Sequence, residues 1–412
     1  MSAARNSAEE KDLGAGWARS KTEDKALPEA FRELREEIVN CRAGYAHSVV
    51  AQTLPPDKIP AVHLLPRGDW MTPGAEVQPA VPEFLPHASV RKDGGRLTRL
   101  DLARWMVAKE NPLPARHFVN RLWKQFFGKG LSNVLDDLGN QGEWPANPAL
   151  LDWLAAEFRD SGWDVKQVVR QIVMSRTYRQ QSASRADLVE RDPANRLLAA
   201  QSPRRLDAEF VRDNILAISG LLSSGVVGGP SVKPYQPAGY YTNLNFPQRG
   251  YDASKDDNQY RRGLYTHWQR TFMHPMMAGF DAPSREECSA DRLQSNSPQQ
   301  ALILLNDPSF VEAARAFAAS LLEGNPDATD ADRIKHAIRR ALGREPRKGE
   351  LEGLEKFLNG QRTSLKTQKD DPEAFLKIGQ WRPEVPPDPV ELAAWTQACR
   401  VLLNLHETLT RY

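Results

Sequence analysis

The stretch NPLPARHFVNRLWKQFFGKGLSNVLDDLGNQGEWPANPALLDWLAAEFRDSGWDVKQVVRQIVMSRTY, residues 111–178, decides the fold class of this 412-residue chain. It sets explicit helix starts and stops around apolar residues at helical spacing. One helix is expected from about Ala115 to Phe127, with Val119, Leu122 and Phe126 facing inward and Gly128 and Gly130 stopping it. Asn147 reads as an N-cap followed by proline at the first helical position, opening a helix whose apolar face is Leu150, Leu151, Leu154 and Phe158. Gly162 ends that helix. Asp164 and Gln167 then have capping-box spacing, and Val165, Val168, Val169, Ile172 and Val173 form the next buried stripe. These residues are β-branched, but their period is that of a helix.

Working outward, Thr98 is a candidate N-cap with Asp101 in the first turn, and Leu102, Trp105 and Met106 give a helical face. Ser202-Pro203 reads as the start of a helix carrying Leu206, Phe210 and Ile215 to about Leu222. From Ser223 to Arg292 the pattern breaks into Gly, Pro and Tyr, with a short strand expected at 263–268. Helical order returns at Ser297-Pro298, where Gln300 completes a capping-box spacing, and again at Asp307-Pro308, which opens an Ala-rich helix to about Leu322. Further helices are expected at 331–342, 347–359 and 389–409, and another at Pro28–Val50. Between Pro55 and Pro86 repeated proline fixes φ and removes backbone donors, so that stretch is read as extended. The resulting fold class is mainly α, a multi-helix globular domain with a long irregular insert that holds short strands. Its parts are a polar N-terminal segment with a helix (1–60), a Pro-rich linker packed on the core (61–96), a helical core (97–222), the irregular insert (223–296) and a C-terminal helical part of the same domain (297–412).

Composition narrows the function classes. The chain has 55 Lys and Arg against 53 Asp and Glu, a formal charge of +2, so no global field steers nucleic acid or an anionic membrane. Three scattered cysteines, Cys41, Cys288 and Cys399, build neither a disulfide framework nor a zinc or haem motif. The first residues lack the apolar run of a signal peptide, and no stretch is long and apolar enough to span a membrane.

Several blocks together carry a family resemblance: RGDWMTPGAEVQPAVPEFLP, RLTRLDLARWMVAKENPLPARHFVNRLWKQFFGKGL, PANPALLDWLAAEF, SGWDVKQVVRQIVMSRTYRQ, SPRRLDAEFVRD, GGPS, SPQQALILLNDPSFVEAARA and the terminal LLNLHETLTRY. In this order, from about His63 to the end, they resemble the planctomycete-specific C-terminal domain family, Domain of Unknown Function 1553. The resemblance implies large proteins exported to the periplasm or cell surface, with a cytochrome-c-like haem segment and a companion domain upstream, and a link to polysaccharide degradation. Those upstream domains and the CxxCH motif are absent here, so no cofactor is carried over. The chain is expected to be a separated C-terminal half, with an upstream domain of that kind and a polysaccharide as its partners.

Three polar constellations are candidates for chemistry. Arg116, Asn120 and Arg121 share a helix, with Asp136 and Asp137 just beyond it; they suit either clamping a sugar or anion, or tying loops to helix ends. Arg204, Arg205, Glu209 and Asp213 form the second group, in which two carboxylates at i and i+4 either face a cation or pair with nearby arginines. The third lies in the irregular insert: Arg261, Arg262, Tyr265, His267, Arg270, His274 and Asp281. His267 and His274 match no metal spacing, and no metal site is assigned. The preferred reading is a binding or scaffolding module. The alternative is a carbohydrate-active hydrolase, drawing acid and base from Asp136, Asp137, Glu209, Asp213, Asp281 or His267; it requires carboxylates to converge roughly 5–10 Å apart.

Overall fold

The computed structural model describes residues 51–86, 95–137, 139–183, 186–223, 227–228, 231–237, 239–240, 250–269, 272–324, 327–367, 372–385 and 387–412. The helix expected at 28–50, and Arg270, lie outside these residues. The chain divides into two units, Met1–Gln52 with Ser224–Ser231, and Thr53–Ser223 with Val232–Tyr412. All the architecture that follows belongs to the second.

The described chain is mainly α. It begins with a small antiparallel hairpin, β1 (Val62–His63) and β2 (Glu76–Val77), in the register Val62 to Val77. Helix α1 (Arg99–Met106) is opened by a reciprocal capping box, Thr98 accepting from the Asp101 N–H while the Asp101 carboxylate accepts from Thr98. Its expected apolar face is not buried: Leu102 and Met106 are exposed. Three helices follow, α2 (Leu113–Phe127), α3 (Pro148–Asp160) and α4 (Val165–Met174). Gly128 in the left-handed region closes α2, where a side chain would be strained. The Asn147 and Asp164 side chains accept from the Leu150 and Gln167 N–H groups and start α3 and α4. These helices enclose a core of Val119, Trp123, Phe127, Leu151, Leu154, Phe158, Val168 and Ile172. Phe118 stacks on Phe158 at 4.9 Å, and Trp123 on Phe127 at 4.3 Å.

After the short α5 (Ala186–Arg191), strand β3 (Arg204–Arg205) pairs with the C-terminal strand β4 (Thr410–Arg411). The expected helix start at Ser202 is therefore displaced: α6 runs Ala208–Ser219, because Arg204 and Arg205 are held extended by the far end of the chain. The strand expected at 263–268 is instead a 3-10 turn at Gly263–Tyr265, followed by an isolated bridge from Thr266 to Val232. Helix α7 (Pro275–Gly279) and helices α8 (Pro298–Asn306), α9 (Pro308–Gly324), α10 (Asp330–Leu342), α11 (Lys348–Thr367), α12 (Pro372–Leu376) and α13 (Pro389–Leu403) complete the bundle.

Its centre is α9 against α13. Ala313, Ala314, Ala316, Ala318 and Ala319 are buried on α9, so Trp395, Ala394 and Ala398 of α13 approach closely. Small side chains leave room for charge in this core. Glu312 and Arg315 are each 1% exposed, 3.8 Å apart. Arg315 donates to the carbonyls of Leu376, Ile378 and Trp381, while Glu312 accepts from the Trp381 N–H and, at 3.0 Å, from the Tyr260 hydroxyl. The pair fastens the loop after α12 to the bundle. Gly379 sits at φ +77° against Glu312, and a Cβ there would lie 2.6 Å from the carboxyl carbon. No described helix is long and apolar enough to cross a membrane.

Candidate functional site

In the first constellation Asn120, Arg116 and Asp137 make local contacts that tie elements together. Asn120, 1% exposed, forms a two-point bond to Ser132: its amide nitrogen donates to the Ser132 carbonyl at 2.7 Å, and its oxygen accepts the Ser132 N–H at 3.1 Å. That fastens the loop after α2 to the helix. Arg116 pairs with Asp152 of α3. Arg121 is exposed, and its charge adds to burial in holding the His117 imidazole below its ordinary pKa. Asp137 accepts from the Gly139 N–H at 2.7 Å, while Asp136 is exposed.

The second and third constellations meet around the start of α6. Arg205 donates to Asn296 at 2.9 Å and to the buried Gln300 amide at 2.6 Å. Gln300, read as a capping residue, is used instead by this contact and by Asp281 and Ser295; the N-cap Ser297 makes no side-chain cap bond. Asp281 sits in the left-handed region at φ 59° and accepts from the Ser295 N–H and hydroxyl, each at 2.7 Å. Glu209 pairs with Arg292 at 2.7 Å and Arg285 at 3.6 Å. Burial pushes the Glu209 carboxyl up, but those two guanidiniums outweigh it and hold it below the ordinary range. Asp213 accepts from the Gly263 N–H at 2.6 Å; burial raises its pKa against the pull of that bond and of Arg212 and Arg262. Arg285 lies 3.8 Å from the centre of the Trp268 ring.

A shallow recess opens here, lined by Arg205, Asp207, Asp281, Arg292, Gln294 and Gln300 over Leu206, Ala208 and Phe280. Its carboxylates are already engaged. Asp207 accepts from Gln294 at 3.2 Å and lies 3.8 Å from Arg292.

The remaining candidates make local contacts as follows. Arg212, 1% exposed, donates to the carbonyls of Arg261 and Gln259 at 2.6 and 2.5 Å. Arg261 stacks over Tyr265 at 4.4 Å, and Arg262 is exposed. His274 caps α7 through Nδ1, which accepts from Met276, and its Nε2 donates to the Tyr235 carbonyl at 2.8 Å. This is the neutral tautomer, and burial drives its pKa down to about 4. His267 is half-buried beside Tyr251, its pKa lowered by burial and by Lys233. Arg204 contributes its backbone to β3, and its guanidinium donates to the Lys124 carbonyl at 3.4 Å. Among the described residues no His, Cys, Asp and Glu group has a metal-holding arrangement.

A second shallow recess lies beside the end of α2. Trp123 and Phe127, both buried, lie beneath it; Lys129, Asn133, Asn195, Ser202 and Arg196, which pairs with Glu143, stand around it. No carboxylate lines it. Asn195 is left-handed at φ 50°, and its amide nitrogen donates to the Ala200 carbonyl and the Ser202 hydroxyl at 2.7 and 2.8 Å. Asp192 builds that turn by accepting from the Arg196 and Leu197 N–H groups at 2.9 and 2.7 Å. The Asp192-Pro193 pair was the sequence signal available for it. On α2 Lys124 pairs with Asp291.

The fold and its two clefts define a mainly helical domain with polar recesses and a buried ionic core. By sequence, the chain belongs to the family described as "Protein of unknown function (DUF1553)", whose profile matches residues 98–358. Neither the curated proteins nor the solved structures contain a match to it.

Proposed function

We propose that the chain is a binding module for neutral polysaccharide, not a hydrolase, and that the sugar seats in the cleft over Trp123 and Phe127. The observation that supports this is the composition of that recess: a rim of amides, a hydroxyl, an ammonium and the Arg196 guanidinium, which also pairs with Glu143, with no Asp or Glu in its lining. Amides and cations bond the hydroxyls of a sugar. General acid and base carboxylates are what hydrolysis requires. In the other cleft Asp207 and Asp281 are each spent on local donors. The upstream domains named by the resemblance fit this reading as the catalytic or tethering partners of a binding part.

The test is native affinity electrophoresis in gels containing soluble neutral polysaccharides, with reducing ends measured on the same mixtures. Retardation by at least one polysaccharide is expected, with no release of reducing ends. Asn133→Ala and Arg196→Ala are each expected to weaken it by about tenfold, equivalent to ~1.4 kcal/mol. New reducing ends, or no retardation in any gel, would overturn the reading.

A further inference from the structure

We infer that the C-terminal strand is a latch, coupling two separately cored halves of the molecule so that they unfold together. Inside the second unit the buried apolar residues form two clusters that share no member. One holds Val119, Trp123, Leu154, Phe158 and Ile172; the other runs from Ala208 to Leu409. Leu198 packs against the first cluster and Leu206 against the second, so the chain crosses between them over 199–205. The far end of the chain returns to that crossing. Arg204 pairs with Arg411 and Arg205 with Thr410, and the Leu206 N–H donates to the Leu409 carbonyl at 2.8 Å.

The returning segment is anchored in both halves. Leu409 is buried in the bundle core, and beside it the Thr408 hydroxyl donates to the Leu402 carbonyl at 2.7 Å while the Thr408 carbonyl accepts from Asn214 at 2.8 Å. Two residues further on, the Arg411 guanidinium lies over the Tyr178 ring, 4.9 Å from its centre. Tyr178 meets Phe126 and Phe127 edge-on at 5.7 and 5.8 Å, so this cation rests on the aromatic core of α2–α4. Arg204, the partner of Arg411 in the ladder, donates to the Lys124 carbonyl of α2 at 3.4 Å. The Lys124 side chain also pairs with Asp291, but that carboxylate is 52% exposed, and an ion pair so open to water is screened and adds little. A two-stranded ladder of this length is marginal by itself. Here it holds because Leu206 and Leu409, at one end of it, are packed in the bundle core. Releasing Arg411 therefore uncouples the halves while leaving both cores intact.

Amide hydrogen exchange of the full chain in graded urea, read separately on α2–α4 and on α9 with α13, tests this without any polysaccharide. In the parent both sets of helices are expected to lose protection at the same urea concentration. Arg411→Pro removes a ladder N–H and the guanidinium together. Thr410 is extended, at φ −126° and ψ 133°, a conformation that a following proline accepts. In this variant α2–α4 are expected to open at least about 0.5 M urea below α9 and α13. Arg411→Ala keeps the ladder and is expected to split them in the same direction by less; it decides the matter if the proline variant does not fold. A parent whose two sets already open at different urea concentrations overturns the inference. So does a folded Arg411→Pro chain, or in its place an Arg411→Ala chain, whose two sets still open together.

Discussion

The three helices α2–α4 and the bundle around α9 both bury helix faces, but they fill the space between helices differently. Between α2, α3 and α4 the filling is aromatic: Trp123, Phe127 and Phe158 interlock with Phe118 and Tyr178, and the one fully buried amide there, Asn120, has partners for its oxygen and its nitrogen. In the bundle, alanines on α9 bring helices close, and the irregular chain around them is fastened by buried charge: Arg212 on the 259–261 carbonyls, Arg315 and Glu312 on the loop at 376–381. The first arrangement leaves a shallow recess above buried aromatic rings. The second leaves clefts whose charges are consumed by structure. The proposed function places ligand binding in the first region and leaves the second as scaffold.

The largest effect that would break this comparison is at Arg315. Arg315→Ala removes three loop contacts and strands the Glu312 carboxylate in the core, so a loss of about 3–5 kcal/mol is expected in urea unfolding. A loss below about 1 kcal/mol would mean the ionic fastening is not what holds the bundle. Phe158→Ala, its counterpart in the aromatic core, is expected to cost about 3 kcal/mol through lost burial and the cavity left behind. Its loss should scale with volume, so Phe158→Leu should recover more than half of it; equal losses for both variants would contradict an aromatic core held by packing.

The smallest effect is pH-dependent and separates the regions further. His274 has its folded pKa depressed to about 4 from an ordinary 6.5. Its neutral form is the one that folds, so the unfolded chain binds the extra proton between those values. The stability it contributes is present above pH 6.5 and is lost as pH falls towards 4. Asp307 works in the opposite sense: burial lifts its carboxyl to about 6, so its contribution is present below about pH 4 and is lost as pH rises through 6. The two slopes oppose each other in the parent. Comparing parent and His274→Gln isolates one of them, and the stability gap between them should change by about 2 kcal/mol in the variant's favour from pH 7 to pH 5. A gap independent of pH would show that His274 is not buried neutral.

What the sequence reveals of this molecule follows the range of the forces involved. Thr98, Asn147 and Asp164 act on N–H groups two or three residues away, so their caps could be read directly. Ser202-Pro203 looked equally like a helix start, but Arg204 and Arg205 pair with residues at the C-terminus, which no local pattern announces. Gln300 has capping-box spacing and instead bonds Arg205 and Asp281. Leu102 and Met106 have helical spacing, yet a period fixes which residues share a face and not whether anything covers it. The candidate carboxylates were legible as residue types, and only the fold shows the donors of Asp137, Glu209, Asp213 and Asp281. The Trp123 cleft was hidden because its floor reads as ordinary core, while Asn195 reaches it from a turn 72 positions along the chain.

The most direct test of this division of labour is amide hydrogen exchange of the full chain with and without the polysaccharide that retards it most. The account predicts slowed exchange confined to residues 123–133 and 195–202, with 281–300 unchanged. Protection centred on 281–300 instead would move the binding site to the charged cleft and contradict the account.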